Sequence, residues 1–125
     1  MTDNDLRKRR VSQSGMVYHI MAVTQNRMPY FASLDNGRKV VQQLMALQAG
    51  GCAETLCYVV MPDHLHWLMV LHKGKLSEAV QLLKGRSAHA IGRAIWQANY
   101  YDHAVREEED LRNIARYIVG CGSVG

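Results

Sequence analysis

Two histidines two residues apart, His64 and His66, sit inside the apolar run MPDHLHWLMVL that spans 61–71. Residues i and i+2 of a strand point to the same face. Both imidazoles would therefore be presented together, as a metal site needs. The opposite face carries Leu65, Trp67, Met69 and Leu71 and reads as core. On spacing alone a plainer reading stays open, in which the two rings are hydrogen-bonded or exposed strand histidines with no ligand. A second candidate is Tyr117. At roughly 100° per residue it lies at the edge of the apolar stripe Leu111, Ile114, Ala115 and Ile118. An edge position can point into a neighbouring cleft, and it can equally be a packing residue with its hydroxyl in water. Cys121, four residues on, would share its side if the helix continued that far. Asp63 either orients a histidine through its carboxylate or simply forms the turn after Pro62.

The elements that must position these groups follow from periodicity and breakers. Met16–Val23 has the β-branched and aromatic content of a strand. Asn26–Leu34 reads as a loop. Asp35–Ala49 places Val40, Val41, Leu44, Met45 and Leu47 at helical spacing, and Gly50–Gly51 stops it. Thr55–Met61 is a second strand, joined by the Pro62–Asp63 turn to the histidine strand as a hairpin. Leu76 to about Gln97 is a second helix, weakened by Gly85 and Gly92. Tyr100–Val105 is a short fourth strand. Glu107–Val119 is a third helix, with Glu107, Glu108, Glu109 and Asp110 where its dipole favours acids. The order β-α-β-β-α-β plus an extra helix predicts an α+β, ferredoxin-like fold. Two helices would cover one face of an antiparallel sheet. His64 and His66 would look out on the other face, where the extra helix can reach them.

The chain has 125 residues, enough for one domain with its own core. We expect a flexible basic arm over residues 1–14 and a single catalytic domain over 15–125. No stretch has transmembrane length, and the N-terminus lacks the apolar centre of a signal peptide. Cys52, Cys57 and Cys121 are an odd set without C-x-x-C spacing, which argues against a disulfide framework and fits a reducing cytoplasm. Cys52 and Cys57 read as buried fillers. The formal charge is +4, and Arg7, Lys8, Arg9 and Arg10 form a basic block. Arg86, His89 and Arg93, with Lys84 nearby, could form a phosphate-binding stripe or only a solvated helix face. Trp96, Tyr100 and Tyr101 could stack on bases, although Trp96 is as well placed for the core. His103 has no evident role.

The segment VVMPDHLHWLM resembles the histidine–hydrophobic–histidine (HUH) motif of single-tyrosine transposases. WQANYYDHAVREEEDLRNIARYIV is similar to the C-terminal half of the REP-associated tyrosine transposase branch, relatives of the small insertion-sequence transposases that act on single-stranded DNA. The resemblance spans about residues 14–119. It implies that neutral His64 and His66 bind a divalent cation, Mg²⁺ or Mn²⁺, with imidazole better suited to Mn²⁺. The cation would polarise a DNA phosphate while Tyr117 attacks it, giving a 5′-phosphotyrosine and a free 3′-OH. It also implies a DNA partner, hairpin-forming repeats with a short single strand beside them, and work as a monomer or homodimer. The family commonly places glutamine or asparagine four positions after the tyrosine to help hold the metal. Cys121 stands at that third-ligand position here, a poor replacement for an amide oxygen on Mg²⁺. GCGSVG follows where the family has Asn-Pro and a basic-apolar stretch. A second reading follows from those departures: a ferredoxin-like domain that binds DNA hairpins without cutting.

Overall fold

A computed structural model describes residues 15–106 and 108–117. The strands are β1 (Val17–Val23), β2 (Ala53–Met61), β3 (His64–Leu71) and β4 (Tyr101–Val105), and the helices are α1 (Leu34–Ala49), α2 (Leu76–Ile91) and α3 (Glu108–Tyr117). The sheet order is β2-β3-β1-β4 and every neighbouring pair is antiparallel. This is the expected ferredoxin-like α+β arrangement, with the histidine strand at the centre.

Alternation along β3 assigns the two faces. Leu65, Trp67, Met69 and Leu71 are buried with Tyr18, Ile20 and Ala22 of β1. Val40, Leu44 and Leu47 of α1 and Leu76, Ala79, Val80 and Leu83 of α2 close over them. Trp67 is fully buried, and its Nε1–H donates to Thr55 Oγ1 at 2.9 Å, so the polar edge of the ring carries no desolvation penalty. On the other face Cys57, Leu68 and Val105 form a smaller cluster, packed by the half-buried Leu111 and Ile114 of α3. The third helix therefore lies on the histidine face, as its apolar stripe requires.

Local sequence sets the element ends. The Ser33 hydroxyl accepts from the Asn36 N–H to start α1, and Gly51, at φ 78°, turns the chain out of it. Glu78 accepts the Lys75 N–H at 3.0 Å to start α2. The helix ends at Ile91, six residues earlier than the periodicity suggests. Gly92 adopts the left-handed conformation (φ 100°) and stops it. Ile95 and Trp96 are buried after the helix, not along its stripe. Trp96 donates to Ser87 Oγ at 2.9 Å and leans on Phe31, so it is a core residue and not a base-stacking platform. The loop after β1 contains two short 3-10 turns, Gln25–Arg27 and Tyr30–Ala32. Met45, counted with the α1 stripe, is exposed. No helix among the described residues is long and apolar enough to cross a membrane.

Candidate active site

His64 opens β3 directly after the Pro62–Asp63 turn, and that turn is tied down from outside the hairpin. The buried Thr24 donates its N–H to the Asp63 carbonyl at 3.0 Å, and its hydroxyl sits between the carbonyls of Met28 (2.8 Å) and Asp63 (3.1 Å). The Phe31 N–H donates to the Pro62 carbonyl at 2.9 Å. Arg27 Nη1 donates to Asp63 Oδ2 at 2.9 Å, leaving Oδ1 to accept from His64 Nδ1–H at 2.7 Å. Asp63 thus does both things the sequence left open. It makes the turn and it orients a histidine. The hydrogen bond from His64, with Arg27 adding to it, holds the Asp63 carboxyl below its ordinary range.

His66 follows on the same face, its ring 5.0 Å from that of His64 and nearly perpendicular to it. A third imidazole comes from β1. His19 Nε2 lies 3.1 Å from His66 Nδ1, with the rings stacked at 5.3 Å. His103 of β4 stands directly across from His19 in the ladder. Four histidines from three strands therefore form a row across the open face of the sheet. Burial pushes His66 down to about 4, and the neighbouring His64 and His19 add to the shift. Burial, then His103, lowers His19 as well. His66 is thus neutral at pH 7, the form that offers a ring nitrogen.

The low value has a consequence for stability. Between about pH 6.5 and 4 the unfolded chain binds a proton at this histidine that the folded chain excludes. Folded stability is then full above that window and is lost as pH falls through it. The ring is only partly buried, and solvent screening brings the expected loss to roughly 1–2 kcal/mol. Thermal unfolding of metal-free protein from pH 8 to 4 should show this fall, and His66→Asn should make it shallower. An equal slope in both proteins would refute the assignment.

The two rings fit a divalent cation in one respect that the structure displays. Each has its Nδ1 engaged, by Asp63 and by His19, so any ligand bond from either must come from Nε2. Among the described residues no group of three or more His, Cys, Asp or Glu could hold an ion. Two imidazoles are what the sheet itself supplies. The third-ligand position, Cys121, lies outside the described residues, as does the basic block Arg7, Lys8, Arg9 and Arg10. Cys52 is a free, half-buried thiol. Cys57 is buried as expected, but it is disulfide-bonded, which the spacing gave no reason to expect.

Across the row of histidines lies α3. His19 and His103 line one side of a cleft of about 490 Å³, and Asp110, Asn113 and Ile114 of α3 line the other. Tyr117 is the last residue of α3, and its side chain lies outside the description. Position 117 follows Asp110 by seven residues and Asn113 by four, the spacing of one helical face.

The expected phosphate stripe on α2 comes apart. Arg86 and His89 are exposed. Lys84 is buried, and its Nζ donates to the carbonyls of Gln97 (2.8 Å) and Asn99 (3.0 Å). It binds backbone, not phosphate, because the chain leaving α2 returns over it. Arg93 lies past the helix end and sits over the Tyr30 ring. We expect Lys84→Met to lower stability by about 1–3 kcal/mol by leaving those carbonyls without their donor, with DNA affinity of the folded protein unchanged. Chemical denaturation and a binding titration check both parts. Tyr101, at 66% exposed, is the aromatic that remains accessible near the row.

Comparison with known proteins bears on the family and the fold. Residues 12–120 match the family described as "Transposase IS200 like". A REP-associated tyrosine transposase of Escherichia coli K12 is 34% identical over an alignment covering 52% of this chain and 41% of that protein. The chain thus spans under half the length of that relative. A solved REP-associated tyrosine transposase bound to a REP hairpin superposes with a TM-score of 0.74 at 24% identity, over 85% of this chain and 66% of the other. A solved protein of Deinococcus radiodurans R1 superposes with a TM-score of 0.62 at 22% identity, over 82% and 87%. These two superpositions speak for the fold. The family match covers most of the sequence, including the histidine strand and the helix that ends at Tyr117, and by it the chain belongs to the IS200-like transposases, a family of enzymes.

Proposed function

We propose that this chain is a single-stranded DNA endonuclease and strand-transferase that acts beside repeat hairpins, with Tyr117 as nucleophile. One arrangement carries the reading. Imidazoles with both Nδ1 atoms engaged lie on a sheet face, and the helix that ends at Tyr117 packs on that same face. The hairpin enters because the solved relative, a REP-associated tyrosine transposase, is bound to one.

His64 and His66 would hold Mg²⁺ or Mn²⁺ through Nε2, and the bound ion would polarise the phosphate and offset charge on its oxygens. Asp63 and His19 keep the two rings oriented. The Tyr117 oxygen attacks phosphorus, and the bond from phosphorus to the 3′-oxygen breaks. The phenolic proton goes to solvent and the departing oxygen takes one up. One phosphodiester replaces another, so rejoining by the reverse step needs no nucleotide triphosphate. Arg86 and His89 are exposed cations or potential cations that could meet backbone phosphates, together with the arm at Arg7–Arg10.

The test is to incubate the protein and Mn²⁺ with a single-stranded oligonucleotide carrying a hairpin and its flank, labelled at one end or the other. A 3′-end label should travel with the protein in a denaturing gel, and a 5′-end label should be released on a shortened strand. Intact oligonucleotide with tight hairpin binding would favour the non-cutting DNA-binding domain instead.

A further inference from the structure

His19 belongs to no part of the reaction as the motif describes it, yet it makes a side-chain hydrogen bond with His66. Two imidazole nitrogens 3.1 Å apart can share only one proton. If His19 Nε2 donated, His66 would accept at Nδ1, and its own proton would sit on Nε2. That tautomer has no lone pair to offer from Nε2. If His66 donates from Nδ1, its Nε2 carries the lone pair and His19 Nε2 accepts. We propose that His19 is a positioning residue that accepts from His66 Nδ1–H and so fixes His66 as the tautomer with a bare Nε2.

Two observations favour this direction. First, the parallel bond at His64 already runs this way. A carboxylate can only accept, so His64 donates from Nδ1 to Asp63. His19 then stands to His66 as Asp63 stands to His64, a neutral acceptor beside an anionic one. Second, as the acceptor His19 keeps its proton on Nδ1, and its ring borders a cleft with room for water. The stacked geometry also limits rotation of the His66 ring. His19 is placed for this by register. Its ladder partner is Leu68, and it reaches His66 along the diagonal.

The inference rests on the reading of His64 and His66 as cation ligands only for its consequence, not for its direct test. Long-range ¹H–¹⁵N correlation spectra of the metal-free protein report the tautomer of each ring. We expect His66 protonated at Nδ1 and His19 with Nε2 unprotonated. His66 protonated at Nε2 would overturn the proposal whatever the metal does. The consequence is read by Mn²⁺ titration without DNA. His19→Leu removes the acceptor and should weaken Mn²⁺ binding about 10- to 100-fold. His19→Gln, whose amide oxygen can approach the position of Nε2, should restore most of it. Equal Mn²⁺ affinity in wild type and a folded His19→Leu variant would also overturn the positioning role. Should wild type bind no Mn²⁺ while the spectra show the expected tautomer, the cation reading fails and the His19 assignment stands.

Discussion

Tyr117→Phe should abolish the covalent protein–DNA product, a fall of at least about 10³-fold, the result expected when the proposed nucleophile is removed. The phenyl ring keeps whatever packing the side chain contributes, so folding and hairpin affinity should stay within about twofold of wild type. The pairing of those two readouts gives the experiment its force. A gel of the denatured adduct measures chemistry, and a native titration measures binding. If the variant still forms adduct, the nucleophile lies elsewhere, and peptide mapping of the adduct would find it. Tyr101 is the first alternative, because it is exposed and lies across the ladder from Met21, which itself pairs with His66. If the variant loses binding along with adduct, Tyr117 is a structural residue and the proposed mechanism loses its nucleophile.

The second large effect is at the histidines. His64→Ala and His66→Ala should each lower adduct formation by about 10²-fold or more, and chelation of divalent ions should do the same to wild type. Both side chains project from the sheet face opposite Trp67 and the main core, so neither truncation opens a cavity there. The cost in stability should stay within about 1 kcal/mol. Excess Mn²⁺ should partly rescue whichever variant loses the lesser ligand, and it should not rescue Tyr117→Phe. Undiminished adduct in the presence of EDTA would remove the cation from the mechanism.

The reach of the sequence differs from residue to residue for physical reasons. The faces of β3 were readable because strand alternation has a period of two, and one strongly apolar face fixes the phase. The sheet order then follows from the succession of elements. His19 was out of reach although β1 itself was recognised. The burial of Tyr18, Ile20 and Ala22 would assign its face, but only the register of β1 on β3 makes it a neighbour of His66. Arg27 and Thr24 are similar: they act on Asp63 across 36 and 39 residues of chain. Lys84 misled because helical spacing places it beside Arg86, while its burial depends on a segment that returns from residue 97 onward. Gly92 was visible as a weak point, and only its left-handed backbone makes it a stop.

The alternation along β3 also divides the labour of one strand between two purposes. Its odd-numbered side chains hold the molecule together, while His64 and His66 stand on the face proposed for the chemistry. Errors of the two kinds are therefore inherited differently. A slip in register, by insertion or deletion at the Pro62–Asp63 turn, would exchange tryptophan for histidine and ruin shape and activity together. On the proposed mechanism, a point change at 64 or 66 would silence cutting and leave the scaffold intact. On that reading, a lineage built on this strand can shed cutting in a single step and keep its folded surface, so descent into a pure binder is one codon away.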